Sequence, residues 1–142
     1  MLFYTSPVPR AVFRLIPELK DAELRVLLII VNKTLGYKDK TGRTKTGRKE
    51  IDWIAGSQLQ EETGLSQRSI GLATDALVEN MHIIVRDADG NVLTESQQRK
   101  GKKRLYYELS PSLKPICEDY DTYKRRKLAA LANRLRITSP TP

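Results

Sequence analysis

The chain has 142 residues, 39% hydrophobic and 30% charged, which fits one small globular domain with extensions and excludes a wholly disordered chain or two full domains. Lys and Arg outnumber Asp and Glu by 25 to 17, a net charge of +8 that favours a polyanionic partner: DNA, RNA or an anionic membrane surface. The longest apolar run, at 26–31, is far below the ~20 residues of a membrane span; residues 1–9 carry no leader pattern, and Cys117 alone cannot form an internal disulfide, so a cytoplasmic protein is expected.

In chain order, the two prolines of 4–9 predict an extended start, and 10–19 a short helix limited by Pro17, with Val12, Phe13 and Ile16 on its apolar side. The spacing of Ala22, Val26, Leu27, Ile30 and Val31 predicts a helix over 21–35, with Asp21 as N-cap and Gly36 as C-cap; Leu28 and Ile29 widen its apolar stripe. Residues 37–50 are polar, hold Gly42 and Gly47, and sum to +4, which reads as a mobile surface loop. A short strand is expected at 51–54. Ser57 then opens a helix to Thr63, with Gln60 or Glu61 as capping-box partner, and Gly64 and Leu65 break it. Ser66 caps a second helix running to about Asn80, with Ile70, Ala73, Leu77 and Val78 at helical spacing. Strand-forming residues at 82–86, turn chemistry at 88–91, the apolar Val92 and Leu93, and a strand at 105–109 make a β-hairpin with a long basic tip. Pro111 and Pro115 interrupt the chain before a helix at 117–137, with Leu128, Leu131 and Leu135 on one stripe; the proline-rich end at 138–142 is expected to lack order.

The informative segment is 56–70: a short helix, a glycine turn and a second capped helix. Gly64 suits the left-handed conformation that ends the first helix, and Leu59, Leu65, Ile70 and Ala73 suit a shared core. That geometry leaves Ser66, Gln67, Arg68 and Ser69 outward on a helix that fits a DNA major groove. From Arg99 to Arg104 the hairpin tip then carries five cations in six positions, Arg99, Lys100, Lys102, Lys103 and Arg104, and no acid, as a surface following a phosphate backbone would. A helix-turn-helix followed by a basic hairpin is the order of a winged helix.

Residues from about 8 to 109 resemble the N-terminal winged-helix domain of phage and plasmid replication proteins of the lambda replication protein O type. The resemblance rests on Val8-Pro9-Arg10-Ala11, Ala22-Glu23-Leu24-Arg25-Val26-Leu27-Leu28, Thr34-Leu35-Gly36-Tyr37 and the 57–70 segment. It implies a domain that binds repeated sites in a replication origin, a C-terminal segment that recruits helicase-loading proteins, and a DNA-reading helix whose matching positions are Gln67, Arg68, Ser69, Gly71 and Leu72. The chain departs from that pattern at Gly71, Leu72 and Asp75, where the family often has further polar or basic residues, and in its 37–50 insertion.

Other chemistries fit less well. The stretch 42–49 misses the phosphate-binding loop pattern, because Arg48 and Lys49 stand where lysine and serine or threonine belong. Asp87, Asp89 and Asn91 lack the glutamate that closes a calcium loop. His82 and Cys117 supply neither a zinc site nor a nucleophile motif. The basic run 124–127 opens an amphipathic helix that would be a solvated face, a DNA-backbone contact or a dimer helix; with no Trp or Phe it fits a membrane surface poorly.

The expectation is therefore a mainly α fold with a small β-hairpin sheet (α+β), a winged helix-turn-helix over 1–110 with a basic amphipathic helix and disordered end over 111–142. The expected function is sequence-specific binding of double-stranded DNA at a phage or plasmid origin, without enzymatic activity, cofactor or metal. Base readout falls to Gln67, Arg68, Gly71 and Leu72. Backbone contacts fall to Ser57, Gln58, Ser66, Ser69, Arg99, Lys100, Lys102, Lys103 and Arg104, and to Arg43, Lys45, Arg48 and Lys49 of the 37–50 loop. Replication or helicase-loading proteins, and a second copy through the last helix, are candidate partners; no membrane is. The rival readings are a winged-helix transcriptional regulator and a protein-interaction module, with RNA binding third.

Overall fold

A computed structural model of the chain describes residues 6–44, 47–114 and 120–138. The fold is mixed α+β, with a three-stranded antiparallel sheet set among helices. The elements run α1 (Arg10–Leu15), a 3-10 turn (Ile16–Glu18), α2 (Asp21–Thr34), β1 (Ile51–Trp53), α3 (Gly56–Thr63), α4 (Gln67–Glu79), β2 (Ile83–Arg86), α5 (Ser96–Arg99), β3 (Tyr106–Leu109), a second 3-10 turn (Pro111–Leu113) and α6 (Tyr120–Thr138).

The centre of the molecule is α2. Val26, Leu27, Ile30 and Val31 recur at the helical period and are all at most 1% exposed. The helix packs on α3 and α4 and on β1 and β3. Around it gather Leu59 of α3, Ile70, Ala73 and Leu77 of α4, and Ile83, Val85, Tyr107 and Leu109 of the sheet. Strand order is β1-β3-β2, so the last strand is the middle one. Its register pairs Trp53 with Tyr106, Ile51 with Glu108, Val85 with Tyr107 and Ile83 with Leu109. Side chains alternate across the sheet, so Val85, Tyr107 and Leu109 enter the core while Trp53 and Ile51 face outward.

Several local expectations need correction. In α1 the buried face is Val12, packed with Val8, Ala11 and Leu15; Phe13 and Ile16 are exposed. The N-cap of α2 is Lys20, not Asp21, which sits inside the first turn and pairs with Arg25 at 3.1 Å. Gly36 does not cap through a left-handed backbone: Leu35 is the C-cap, and a Cβ at Gly36 would lie 2.2 Å from the Asn32 carbonyl oxygen, so close approach is what requires glycine. Leu28 is 38% exposed, so α2 is not covered on that side. Ile54 lies outside β1, buried in the core.

Within the 37–50 segment, residues 37–39 pair with 47–49. Lys38 bridges Arg48, the Lys49 amide donates to Tyr37 O at 2.9 Å, and the Asp39 amide donates to Gly47 O at 3.1 Å. The Asp39 carboxylate gathers the amides of Thr41, Arg43 and Thr44 at 2.9–3.0 Å and the Thr41 hydroxyl at 2.6 Å. The Thr41 hydroxyl and these amides hold the Asp39 carboxyl well below the usual carboxylate range. Lys45 lies outside the described residues, as do Cys117 and the end at 139–142. In α6, which begins at Tyr120 and runs through Thr138, Leu128, Leu131 and Leu135 are more than half exposed.

Candidate nucleic-acid interface

The turn between α3 and α4 is fixed at four points. Gly64 takes a φ of 73°, and its amide donates to Gln60 O at 2.9 Å. The Thr63 hydroxyl accepts from the Leu65 amide at 3.2 Å, and Arg25 of α2 donates to Thr63 O at 3.1 Å. Ser66 caps α4, its hydroxyl accepting from the Ser69 amide at 3.1 Å and lying 3.0 Å from the Ser69 hydroxyl. The glycine turn and the Ser66 cap follow the sequence reading. The capping box at Ser57 does not form: Ala55 is the N-cap of α3, no side chain caps it, and Ser57 lies inside the helix.

Ile70, Ala73 and Leu77 of α4 face the core, which leaves Gln67, Arg68, Gly71 and Leu72 exposed along the opposite edge. Leu72 is 61% exposed. These residues form one wall of an open groove of about 780 Å³. The facing wall is the 96–105 connection, which contributes Lys100, Gly101, Lys102 and Lys103. The floor is apolar, with Ile54, Leu59, Ile70, Leu105 and Tyr107. Five cations and one carboxylate line the groove, a net charge of +4. The structure thus brings all four proposed base-reading residues together with four of the five tip cations, Arg99, Lys100, Lys102 and Lys103.

Two tip cations are engaged by neighbouring side chains. Arg99 ends the one-turn helix α5, is 8% exposed, donates to Leu93 O at 3.1 Å and is ion-paired with Asp75 of α4. It is therefore a strut between the connection and α4, not a free phosphate contact. Arg104 stands over Trp53 of β1, 4.8 Å from the ring centroid, and does not line the groove. The simple hairpin tip also needs correction: β2 turns first onto Val92 and Leu93, where Leu93 N donates to Val85 O at 2.8 Å, and α5 follows, held by a Glu95–Gln98 capping box.

Of the remaining candidates, Ser57, Gln58, Ser66 and Ser69 are not among the groove-lining residues. Nor are Arg43, Arg48 and Lys49, and Lys49 pairs with Asp52 at 3.2 Å alongside Lys33 at 3.6 Å. Sequence reading missed Trp53, Asp75 as the Arg99 partner, and Tyr107 on the floor. The alternation Ile51-Asp52-Trp53 was the signal for an outward Trp53. Burial pushes the Tyr107 hydroxyl up to about 12, partly opposed by Arg99.

Among the described residues no helix is long and apolar enough to cross a membrane, and no group of His, Cys, Asp or Glu could hold a metal ion. Comparison with protein families, curated proteins and solved structures gives no match.

Proposed function

We propose that the chain is a winged helix-turn-helix that binds double-stranded DNA without enzymatic activity, with α4 as its reading helix and the 96–105 connection as its wing. The element order α2, β1, α3, α4, β2, β3 with sheet order β1-β3-β2 supports this reading. The observation that carries it is the convergence of Gln67, Arg68, Gly71 and Leu72 with Lys100, Lys102 and Lys103 on one groove of net positive charge.

Each group has a physical role in that reading. Arg68 and Gln67 have the forked donors and acceptors that discriminate base edges, and Leu72 offers an apolar contact of the kind that recognises a thymine methyl. Gly71 lets the α4 backbone approach the bases, since nothing stands within 4 Å of where its Cβ would be. Lys100, Lys102 and Lys103 neutralise phosphates and release counterions. Arg99 and Asp75 set the distance between wing and reading helix.

We place this activity at a replication origin on the resemblance of 8–109 to phage and plasmid replication proteins. The alternative, a transcriptional regulator, uses the same surface. Selection of bound duplexes from a random pool, followed by location of the selected site in its replicon, tests both: repeated sites within an origin support the first, a promoter the second. No enrichment of any sequence rejects both.

A further inference from the structure

A second set of groups lies outside this groove, on the outer face of the sheet. α2 packs on β1 and β3 and α4 on β2, all from the other side. The outer face carries Ile51 and Trp53, 41% and 39% exposed. Trp53 stands directly opposite Tyr106, and Tyr106 opposite Arg86, so these three side chains share the face. Arg104 stacks on the indole at 4.8 Å. The carboxylate on this face, Glu108, is already held by Arg86 at 2.9 Å and Lys114 at 3.1 Å, which leaves the surface positive. It is also continuous with the groove, because Lys102 and Lys103 line both the groove and a recess shared with Arg104, where these three cations outnumber the two carboxylates, Asp87 and Asp89.

We propose that this face binds single-stranded nucleic acid, one unpaired base layering with the Trp53 indole beside Tyr106 while Arg104 and Lys103 hold the adjoining phosphates. Exposed aromatics beside cations are the chemistry of single-strand binding, since every base has a face that can stack and every nucleotide a phosphate. A duplex cannot use the site, because its bases are already stacked. An acidic protein surface would satisfy the cations but leave the aromatic pair without a matching face.

Trp53 is the only tryptophan, so its fluorescence reports directly on the site. The full chain is titrated with oligothymidylate and oligouridylate of about 15 nucleotides, a length within single-strand site sizes. Duplex binding is followed separately by anisotropy of a labelled duplex, so that failure of one reading does not count against the other. The expected result is saturable quenching by one or both strands, with the tighter one giving the sugar chemistry. Trp53→Ala, with binding read by anisotropy of the labelled strand, should weaken it at least ~5-fold, as loss of a stacked base would. Trp53→Phe should retain most of the affinity. Absence of quenching, or equal strand affinity in folded Trp53→Ala and the parent chain, would overturn the proposal; if Trp53→Ala fails to fold, equal quenching of the parent by duplex and single strand would do the same.

Discussion

Arg99 and Asp75 form an ion pair across the groove wall, joining the 96–105 connection to the middle of α4. Arg99 is one of five tip cations within six positions, yet its side chain is only 7% exposed while that of Asp75 keeps 37%. Removing the guanidinium leaves Asp75 without its partner and Leu93 O without its donor. Arg99→Ala should therefore lower stability by about 2 kcal/mol, less than the ~3–5 kcal/mol of a fully buried pair, because water can reach Asp75. Lys103→Ala, on the solvent side of the same connection, should leave stability within ~0.5 kcal/mol. It should flatten the dependence of log affinity for duplex on log salt by about one. Urea denaturation of both variants checks the first contrast, and a salt titration the second; a stability loss in Lys103→Ala equal to that in Arg99→Ala would refute the division of roles.

Two glycines should respond oppositely to alanine. At Gly36 a Cβ would sit 2.2 Å from Asn32 O, so Gly36→Ala must shift backbone and should cost about 2–3 kcal/mol. At Gly71, exposed within α4, a Cβ meets nothing, so Gly71→Ala should stabilise by about 0.5–1 kcal/mol. If the α4 backbone approaches bases there, the same change should weaken duplex binding while the fold becomes more stable. Higher stability with unchanged affinity would remove Gly71 from the reading surface.

The end of α4 stores strain. Met81 has a φ of 61°, and it is 76% exposed, so no packing compensates for that backbone. The amides of Met81 and His82 donate to Val78 O and Leu77 O at 3.0 and 2.9 Å, the pairing of a Schellman cap, where glycine is the usual residue. Met81→Gly should stabilise by about 0.5–1 kcal/mol once the greater freedom of the unfolded glycine is subtracted. Thermal denaturation would show this as a higher midpoint; a lower one would mean the Met81 side chain has a contact role.

Two turns are built on aspartates. The Thr41 hydroxyl and neighbouring amides lower the Asp39 carboxyl, and the Asn91 side chain and amide lower that of Asp87. A carboxyl lowered on folding adds stability above its unfolded value of about 4, and that stability is lost as pH falls through the folded value. The chain should therefore lose stability progressively below about pH 4. Asp39→Asn, which keeps the shape but not the charge, should be less stable at neutral pH and flatter in acid. Parallel pH profiles for the two proteins would exclude Asp39 as a contributor.

What sequence made legible was whatever local chemistry decides. The helical period of α2, the Gly64 turn, the Ser66 cap and the outward edge of α4 all follow from residues within a few positions of one another. What it hid depends on contacts across the chain. Arg99 and Arg104 are indistinguishable from their lysine neighbours until Asp75 and Trp53, 24 and 51 positions away, are placed beside them. The polar 37–50 stretch reads as open loop because its order comes from one carboxylate gathering amides, which leaves no periodicity. Phe13 is large and apolar, but Val12 is the α1 residue that meets the core, a choice made by what packs against the helix.

The most direct test of the central claim is the affinity of the chain and of Arg68→Ala for a selected duplex and a random duplex, measured by anisotropy across a salt series. The account predicts that the parent chain prefers the selected duplex at physiological salt, and that Arg68→Ala loses about 1–3 kcal/mol of that preference while binding random duplex almost unchanged. Equal losses on both duplexes would contradict readout through α4, and no duplex binding even at low salt would contradict the DNA-binding reading itself.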